Sequence, residues 1–436
     1  MFKFVIKMVT VCGLAMPSAA GTLVDVAEAA LANNPQVQIA TLSMNMDKQQ
    51  SLIQSSVFVP QVGVSASLGL QGQRGSDYRN LSYLAETEQL TVTQKIYDPA
   101  ALRVQSSLDL KIEQARFKLL ETKGLVLLDV TERYVQAAIA IDKMNLQQQE
   151  ELYNAKLLKS IKHKSRLQEV YITDVHMAQA KYDLSVSETL VATSEVSTAL
   201  TNLSQIAGLE VAVFKPENEV DFSFQERELE YWLTQAREFN YALKAAYVAS
   251  QVALKSLNAS AFAKSPVIDA RLTLKNQTNR GGSNSAPGAS GHSFVVTLNM
   301  PIYQGGRVAA QRQYSKDNYA VAVEQRKQVE QELTSRVTVQ FLREQAMSKR
   351  IQATMRALES TQEATQAIRT GLGYGVSTQA QLLASTKQEF ELQLQLKQAR
   401  YQATLSSIQL RHMAGQLTIE FLRELSERLP MSGNDV

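Results

Sequence analysis

Residues 293–306 read SFVVTLNMPIYQGG. Phe294, Val296, Leu298, Met300 and Ile302 recur at every second position, the period of a strand with one apolar face. The sequence then changes character at Gly305-Gly306. From there to Gly371 it contains neither glycine nor proline, and it reads as one very long helix. A strand of about ten residues is long enough to cross a bilayer when tilted. The fold is therefore decided by a strand of that length opening directly into a helix far longer than a compact domain needs.

The same passage occurs earlier in the chain. Ile96-Tyr97-Asp98 corresponds to Ile302-Tyr303-Gln304, Asn34 to Asn240, Pro60 to Pro266, and Ile206-Ala207-Gly208 to Met413-Ala414-Gly415. All four anchors share an offset of 206 to 207 residues, which argues for an internal duplication. Each copy predicts a helical lead-in (Leu23 to Gln54; Leu229 to Ala263), two strands and two long helices. Val62, Val64, Ala66, Leu68 and Leu70 alternate with Gly63, Ser65, Ser67 and Gly69, and the partner strand carries Leu90, Val92 and Ile96. Ile268, Ala270, Leu272 and Leu274 alternate with Asp269, Arg271 and Thr273. The polar stretches Gly72 to Glu88 and Asn276 to Ser293 are expected to be exposed loops. Between Pro99 and Pro216 there is no proline, and glycine occurs only at Gly124 and Gly208. Asp98-Pro99 is a strong helix start, and a helix from Pro99 to about Arg166 would run roughly 100 Å. Leu127, Val130, Tyr134, Ala137, Ile141 and Met144 follow the 3-4 spacing of a coiled-coil seam.

Residues 1–20 read as a secretory leader: Lys3 and Lys7, a short apolar core from Met8 to Met16, then Ser18-Ala19-Ala20. Cleavage there starts the mature chain near Gly21 and removes Cys12, the only cysteine, so no disulfide is expected. The expected organisation is a leader (1–20), repeat unit one (21–208), a linker (209–228), repeat unit two (229–415) and a C-terminal helix and tail (416–436). With 45 basic and 42 acidic residues, nothing in the net charge suggests a nucleic-acid partner. No stretch after the leader has the 18 or so apolar residues of a membrane-spanning helix.

Four strands cannot close a barrel, and an open edge in lipid leaves backbone groups unpaired. Several copies must then share one barrel. Two would give eight strands with a filled interior, and three would give twelve and an open pore. The fold class expected is mainly α with a membrane β part, internally duplicated.

At these residues the chain resembles the TolC-type outer-membrane efflux protein family. The resemblance spans nearly the whole mature chain: Ala29-Ala30-Leu31 with Asn34-Pro35, the turn Pro301 to Gly306, Ile172-Thr173-Asp174-Val175, and Gly375-Val376-Ser377-Thr378 followed by Leu383. It implies a homotrimer with a 12-stranded β-barrel in the outer-membrane lipid and a long α-helical coiled-coil tunnel in the periplasm. It further implies a passive exit duct for efflux or type I secretion, docked on an inner-membrane pump through a periplasmic adaptor (membrane fusion) protein, with no cofactor. The tips at 172–175 and 375–383 would be the periplasmic gate. Family members often place two acids in the second tip; here those positions are Gln381 and Ala384. The family's closing latch joins a tyrosine and an arginine to a Thr-Asp pair. Thr173 and Asp174 match that pair, but the partner positions hold Leu372 and Ser377, with Tyr374 two residues away. A neutral tip of this kind predicts only modest cation selectivity.

Rival readings are weaker. The four histidines are scattered, and Asp174 and His176 lie on different faces of a helix, so no metal, cofactor or enzymatic site is expected. Gly371-Leu372-Gly373-Tyr374-Gly375 follows no strand, so it is a turn between helices rather than a phosphate loop. Lys156, Lys159, Lys162, His163, Lys164 and Arg166 crowd one helix end. They are either a solvated face favoured by the helix dipole or, at Lys159, Lys162, Lys164 and Arg166, a contact for an acidic adaptor. A periplasmic coiled-coil adaptor or scaffold is the alternative function, although adaptors carry one helical hairpin and this chain predicts two.

Overall fold

A computed structural model of the chain describes residues 22–75, 78–168, 170–208, 227–281 and 288–428. The predicted leader, nearly all of the linker, Glu169 and the C-terminal tail lie outside them. The elements run in chain order as α1 (Leu23–Asn33), α2 (Pro35–Ser55), β1 (Gln61–Gly75), β2 (Tyr78–Tyr97), α3 (Pro99–Arg166) and α4 (Ile172–Ala207), then α5 (Leu229–Phe239), α6 (Tyr241–Ser260), β3 (Val267–Arg280), β4 (Ala289–Asn299), α7 (Arg307–Gly373), α8 (Gln379–Met413) and α9 (Ile419–Arg428). The chain is thus mainly helical, with one pair of strands and one pair of long helices in each half. Among the described residues no helix is long and apolar enough to cross a membrane.

Two compact units can be distinguished. One comprises Met1–Gln38, Thr122–Asn240 and Thr334–Val436; the other comprises Ile39–Glu121 and Tyr241–Leu333. The second holds the sheet, which is antiparallel in the order β1-β2-β3-β4. The strands run further than alternation alone predicts. Gly72 and Gln73, expected in a loop, pair with Ser82 and Leu81, and Asn276 and Gln277 pair with Ser290 and Ala289. Backbone pairing is indifferent to side-chain polarity, so a ladder continues after the apolar face has ended. Where β2 gives way to α3, Asp98 accepts the Ala101 N–H at 2.9 Å, the cap expected from Asp98-Pro99. Near this start α3 is tied to α2 by Lys111–Asp47 at 2.9 Å and by the Ser51 hydroxyl donating to Asp109 at 3.1 Å.

The helical unit is built on small and aliphatic residues. Of the predicted seam, Leu127, Val130, Tyr134 and Ala137 are buried, and Ile141 and Met144 are half-buried. Burial pushes the Tyr134 phenol up to about 12. His412 packs on Gly124, and burial, with Arg336 nearby, pushes its imidazole down to about 4. It is therefore neutral at ordinary pH.

Each lead-in, expected as one helix, is two. The breaks fall at Asn34 and Asn240, both in extended backbone, whose N–H groups close the preceding helices onto Ala30 and Ala236. Proline at 35 disfavours a helical Asn34, whereas Asn240 precedes a tyrosine. An asparagine beside each break also holds the end of a long helix: Asn33 donates to the Ala207 carbonyl at 3.4 Å and Asn240 to the Met413 carbonyl at 3.0 Å. The chain leaves both helix ends through left-handed glycines, Gly208 and Gly415, each at φ 68°. At Gly415 a Cβ would lie 2.5 Å from the Phe239 carbonyl oxygen.

Gly415→Ala therefore adds left-handed strain of about 1–2 kcal/mol to a backbone clash. The expected outcome is a clearly lower unfolding midpoint, followed by the fluorescence of Trp232, the single tryptophan, which is buried in α5. An unchanged midpoint would contradict this account of the helix end.

Candidate functional site

Two turns carry the residues singled out by sequence. At the first, α3 ends at Arg166, Gln168 adopts a left-handed φ of 61°, and α4 starts at Ile172. Asp174 stands in the first turn of α4, and its carboxylate accepts the Tyr171 backbone N–H at 3.3 Å. Thr173 is exposed, as are Tyr171 and Ile172. Behind the turn, Leu158, Ile161 and Ala178 form a small core with Val170, Val175 and Tyr182.

At the second turn the Gly371 carbonyl accepts the N–H groups of Tyr374, Val376 and Ser377 at 3.1, 2.9 and 3.3 Å. A Cβ on Gly371 would meet the Ser377 hydroxyl at 2.5 Å, so a larger residue there would require that side chain to turn away. Thr378 then caps α8. Its hydroxyl accepts the Gln381 N–H at 3.2 Å, while the Gln381 side chain accepts the Thr378 N–H at 2.8 Å. Leu382 is buried, Leu372, Ser377 and Leu383 are half-buried, and Gln381, Ala384 and Tyr374 are exposed, Tyr374 by 82%.

The two turns are equivalent in one chemical respect. Asp174 and Gln381, paired by the duplication, both reach back to the N–H group that precedes their own helix. Glutamine in place of an acid keeps this cap and removes the charge. The capping role was legible in Thr378-Gln379-Ala380-Gln381, a threonine followed three residues later by glutamine.

Lys156, Lys159, Lys162, His163, Lys164 and Arg166 are all exposed, and His163, Lys164 and Arg166 lie in the last turn of α3. Lys162 donates to Gln179 of α4 at 2.8 Å. Further along, α3 is bonded to α4 by Lys143–Glu195 at 2.7 Å and Lys181–Glu150 at 3.4 Å. Its bond to α8 was not foreseen. Asp142, buried, accepts from Lys397 at 2.8 Å and from the Tyr401 hydroxyl at 3.0 Å. Burial and the negative charge of Asp142 drive the Tyr401 phenol far above its ordinary range. Gln409 of α8 donates to Glu132 of α3 at 2.7 Å, and Gln340 of α7 donates to the Ser406 carbonyl of α8 at 3.1 Å. Among the described residues no group of three histidine, cysteine, aspartate or glutamate side chains converges as a metal site would require.

A model of the family described as "Outer membrane efflux protein" matches residues 26–209 and again residues 232–416. The chain is similar to the outer membrane protein TolC of Vibrio cholerae, 22% identical over 423 residues that cover 95% of each chain. It is 23% identical to TolC of Escherichia coli, over 97% of this chain and 88% of that protein. Among solved structures, that of CusC, reported with conformational changes accompanying folding and transmembrane channel formation, superposes with a TM-score of 0.79. That match has 16% identity and covers 92% of this chain and 95% of CusC. The Campylobacter jejuni CmeC outer membrane channel follows with a TM-score of 0.78 and 13% identity, over 94% and 90%.

Removing the Asp142 carboxylate strands a buried phenol and an ammonium. Asp142→Ala is expected to cost about 1–3 kcal/mol, less than a fully buried pair because Lys397 is partly exposed. Thermal unfolding followed by helical circular dichroism measures this, and the additional change Lys397→Met should recover part of the loss. Equal stability of Asp142→Ala and wild type would show that the bond is incidental.

Proposed function

This chain belongs to the outer membrane efflux protein family, and from that premise we propose that three copies form the exit duct of a tripartite efflux or type I secretion system. The four strands of each copy enter one shared barrel in the outer membrane. The paired long helices α3, α4, α7 and α8 enter a periplasmic tunnel whose lower mouth is formed where α3 passes to α4 and α7 passes to α8. The duct is passive. An inner-membrane pump supplies the energy, and a periplasmic adaptor joins pump to duct. The working division of the chain is into repeat units 21–208 and 229–415, with 209–228 between them.

The observation that carries this reading is the sheet. Its two edge strands are long, and both carry exposed apolar residues. Val62, Val64, Leu68 and Leu70 on β1, and Phe294, Val296 and Leu298 on β4, are 58–81% exposed. A soluble protein avoids such edges. They suit a sheet whose apolar face meets lipid and whose edges meet copies of themselves. A periplasmic adaptor gives no reason for this face, so that alternative is set aside.

At the mouth, Thr173, Asp174, Leu372, Tyr374, Ser377, Gln381 and Ala384 are the proposed gate residues. Asp174 is engaged with its own helix, so closure rests mainly on Leu372, Leu382 and Leu383. Lys159, Lys162, Lys164 and Arg166 are the proposed adaptor contact, on the exposed flank beside the first turn.

Gln381→Asp preserves the cap of α8, because an aspartate there is what the equivalent turn already uses, and Ala384→Asp lies on an exposed position. The double variant Gln381→Asp/Ala384→Asp should conduct in planar bilayers with a reversal potential shifted toward cations and with stronger block by multivalent cations. No shift would place the constriction elsewhere, and no conductance from either protein would defeat the duct itself.

A further inference from the structure

Strand pairing sorts the charges of the sheet onto its two faces. One face carries the apolar row Val62–Val92–Leu272–Phe294 and the row Val64–Leu90–Leu274–His292, apolar but for its histidine. Glu88 and Glu86 lie on this same face, nearer the hairpin ends. Glu86 is paired with Arg280 at 3.3 Å, and Glu88 accepts from Asn276 at 3.4 Å. The opposite face is polar. Among the described side chains its charges are Lys95, Asp269, Arg271 and Lys275, of which Lys95 is paired with Asp98 at 2.9 Å and lies in register with Asp269.

Arg271 and Lys275 are different. Both are exposed. In register with Arg271 stand Thr93 and Val295, and in register with Lys275 stand Gln89 and Gly291, so neither row contains a carboxylate. Asp269 shares the face, two residues along β3 from Arg271, at the end where the strands join the helices. Lys275 lies about 13 Å further along from Arg271 at the rise of a strand. The surroundings are open: a Cβ at Gly291, Gly63 or Gly69, all on this face, would touch nothing within 4 Å.

We propose that Arg271 and Lys275 form a cationic collar on the inner wall of the barrel that draws in anionic cargo, solutes carrying carboxylate, phosphate or sulfate groups. The inference rests on the duct reading above, which turns the polar face toward the lumen. Two cations from each of three chains then surround one pore. A ring of like charge between low-dielectric walls focuses the field and raises the local concentration of counter-ions. The neutral second turn, with Gln381 and Ala384, offers no acidic ring to oppose it. The sequence alone implied modest cation preference from that neutral turn, and the collar pulls against even this.

The test is the reversal potential of the purified full-length assembly in planar bilayers under a potassium chloride gradient. Arg271→Gln/Lys275→Gln should raise the ratio of potassium to chloride permeability several-fold. It should also relieve block by citrate, used as a multivalent anionic probe. Arg271→Lys/Lys275→Arg, which keeps both charges, should behave as wild type, as should Glu86→Gln/Glu88→Gln on the other face. A measurable single-channel conductance in symmetric salt shows that each variant barrel has assembled. An unchanged permeability ratio in the neutral variant overturns the collar. A shift of similar size in the Glu86/Glu88 variant overturns the assignment of faces on which the collar depends. Absence of any conductance, wild type included, overturns the duct reading and the collar with it.

Discussion

A backbone N–H or carbonyl facing hydrocarbon without a partner costs several kcal/mol, because no water is present to replace the missing bond. In the sheet of this chain two rows of backbone groups have no partner strand within the chain, one along β1 and one along β4. Much of the chain's architecture can be read as a response to that constraint. In the proposed duct the apolar face meets lipid, lipid forbids open edges, and further copies of the same chain close them. With four strands per chain, twelve strands is the first closure that leaves an open lumen rather than one filled by side chains.

Duplication supplies the repeated element. Each half carries one strand pair, one long helical pair, and a helix break held by asparagine and glycine. The two halves differ in charge at their turns. The turn after α3 keeps an acid, Asp174, and the turn after α7 replaces it with Gln381, yet both preserve the cap. The helices in turn are joined by polar ties rather than by apolar packing alone. Asp142 holds Lys397 and Tyr401 at once, so α3 and α8 share a bond that neither can satisfy alone. Small and polar residues leave helix surfaces that can face water on one side and neighbours on another.

The long helices and the strands were legible because period and punctuation were both unambiguous. Glycine and proline are missing for more than sixty residues after Gly306, and Asp98-Pro99 marks a helix start that the Ala101 hydrogen bond bears out. Strand ends were less legible. Alternation reports which side chains meet an apolar surroundings, and it fades where the ladder continues among polar residues such as Gly72 and Asn276. The break at Asn34 was marked by Pro35, but at Asn240 only the duplication pointed to it. Asp142 and Lys397 lie 255 residues apart, and no local pattern could join them. The sorting of Arg271 and Lys275 from Glu86 and Glu88 likewise needed the register between strands, since a slip of one residue would exchange the faces.

The native mass of the conducting complex, extracted in detergent and measured intact, bears most directly on shared closure. Three chains per channel is the predicted result. A channel that conducts as a single chain, with β1 and β4 protected from hydrogen exchange, would contradict it, because the edges would then be satisfied without a second copy.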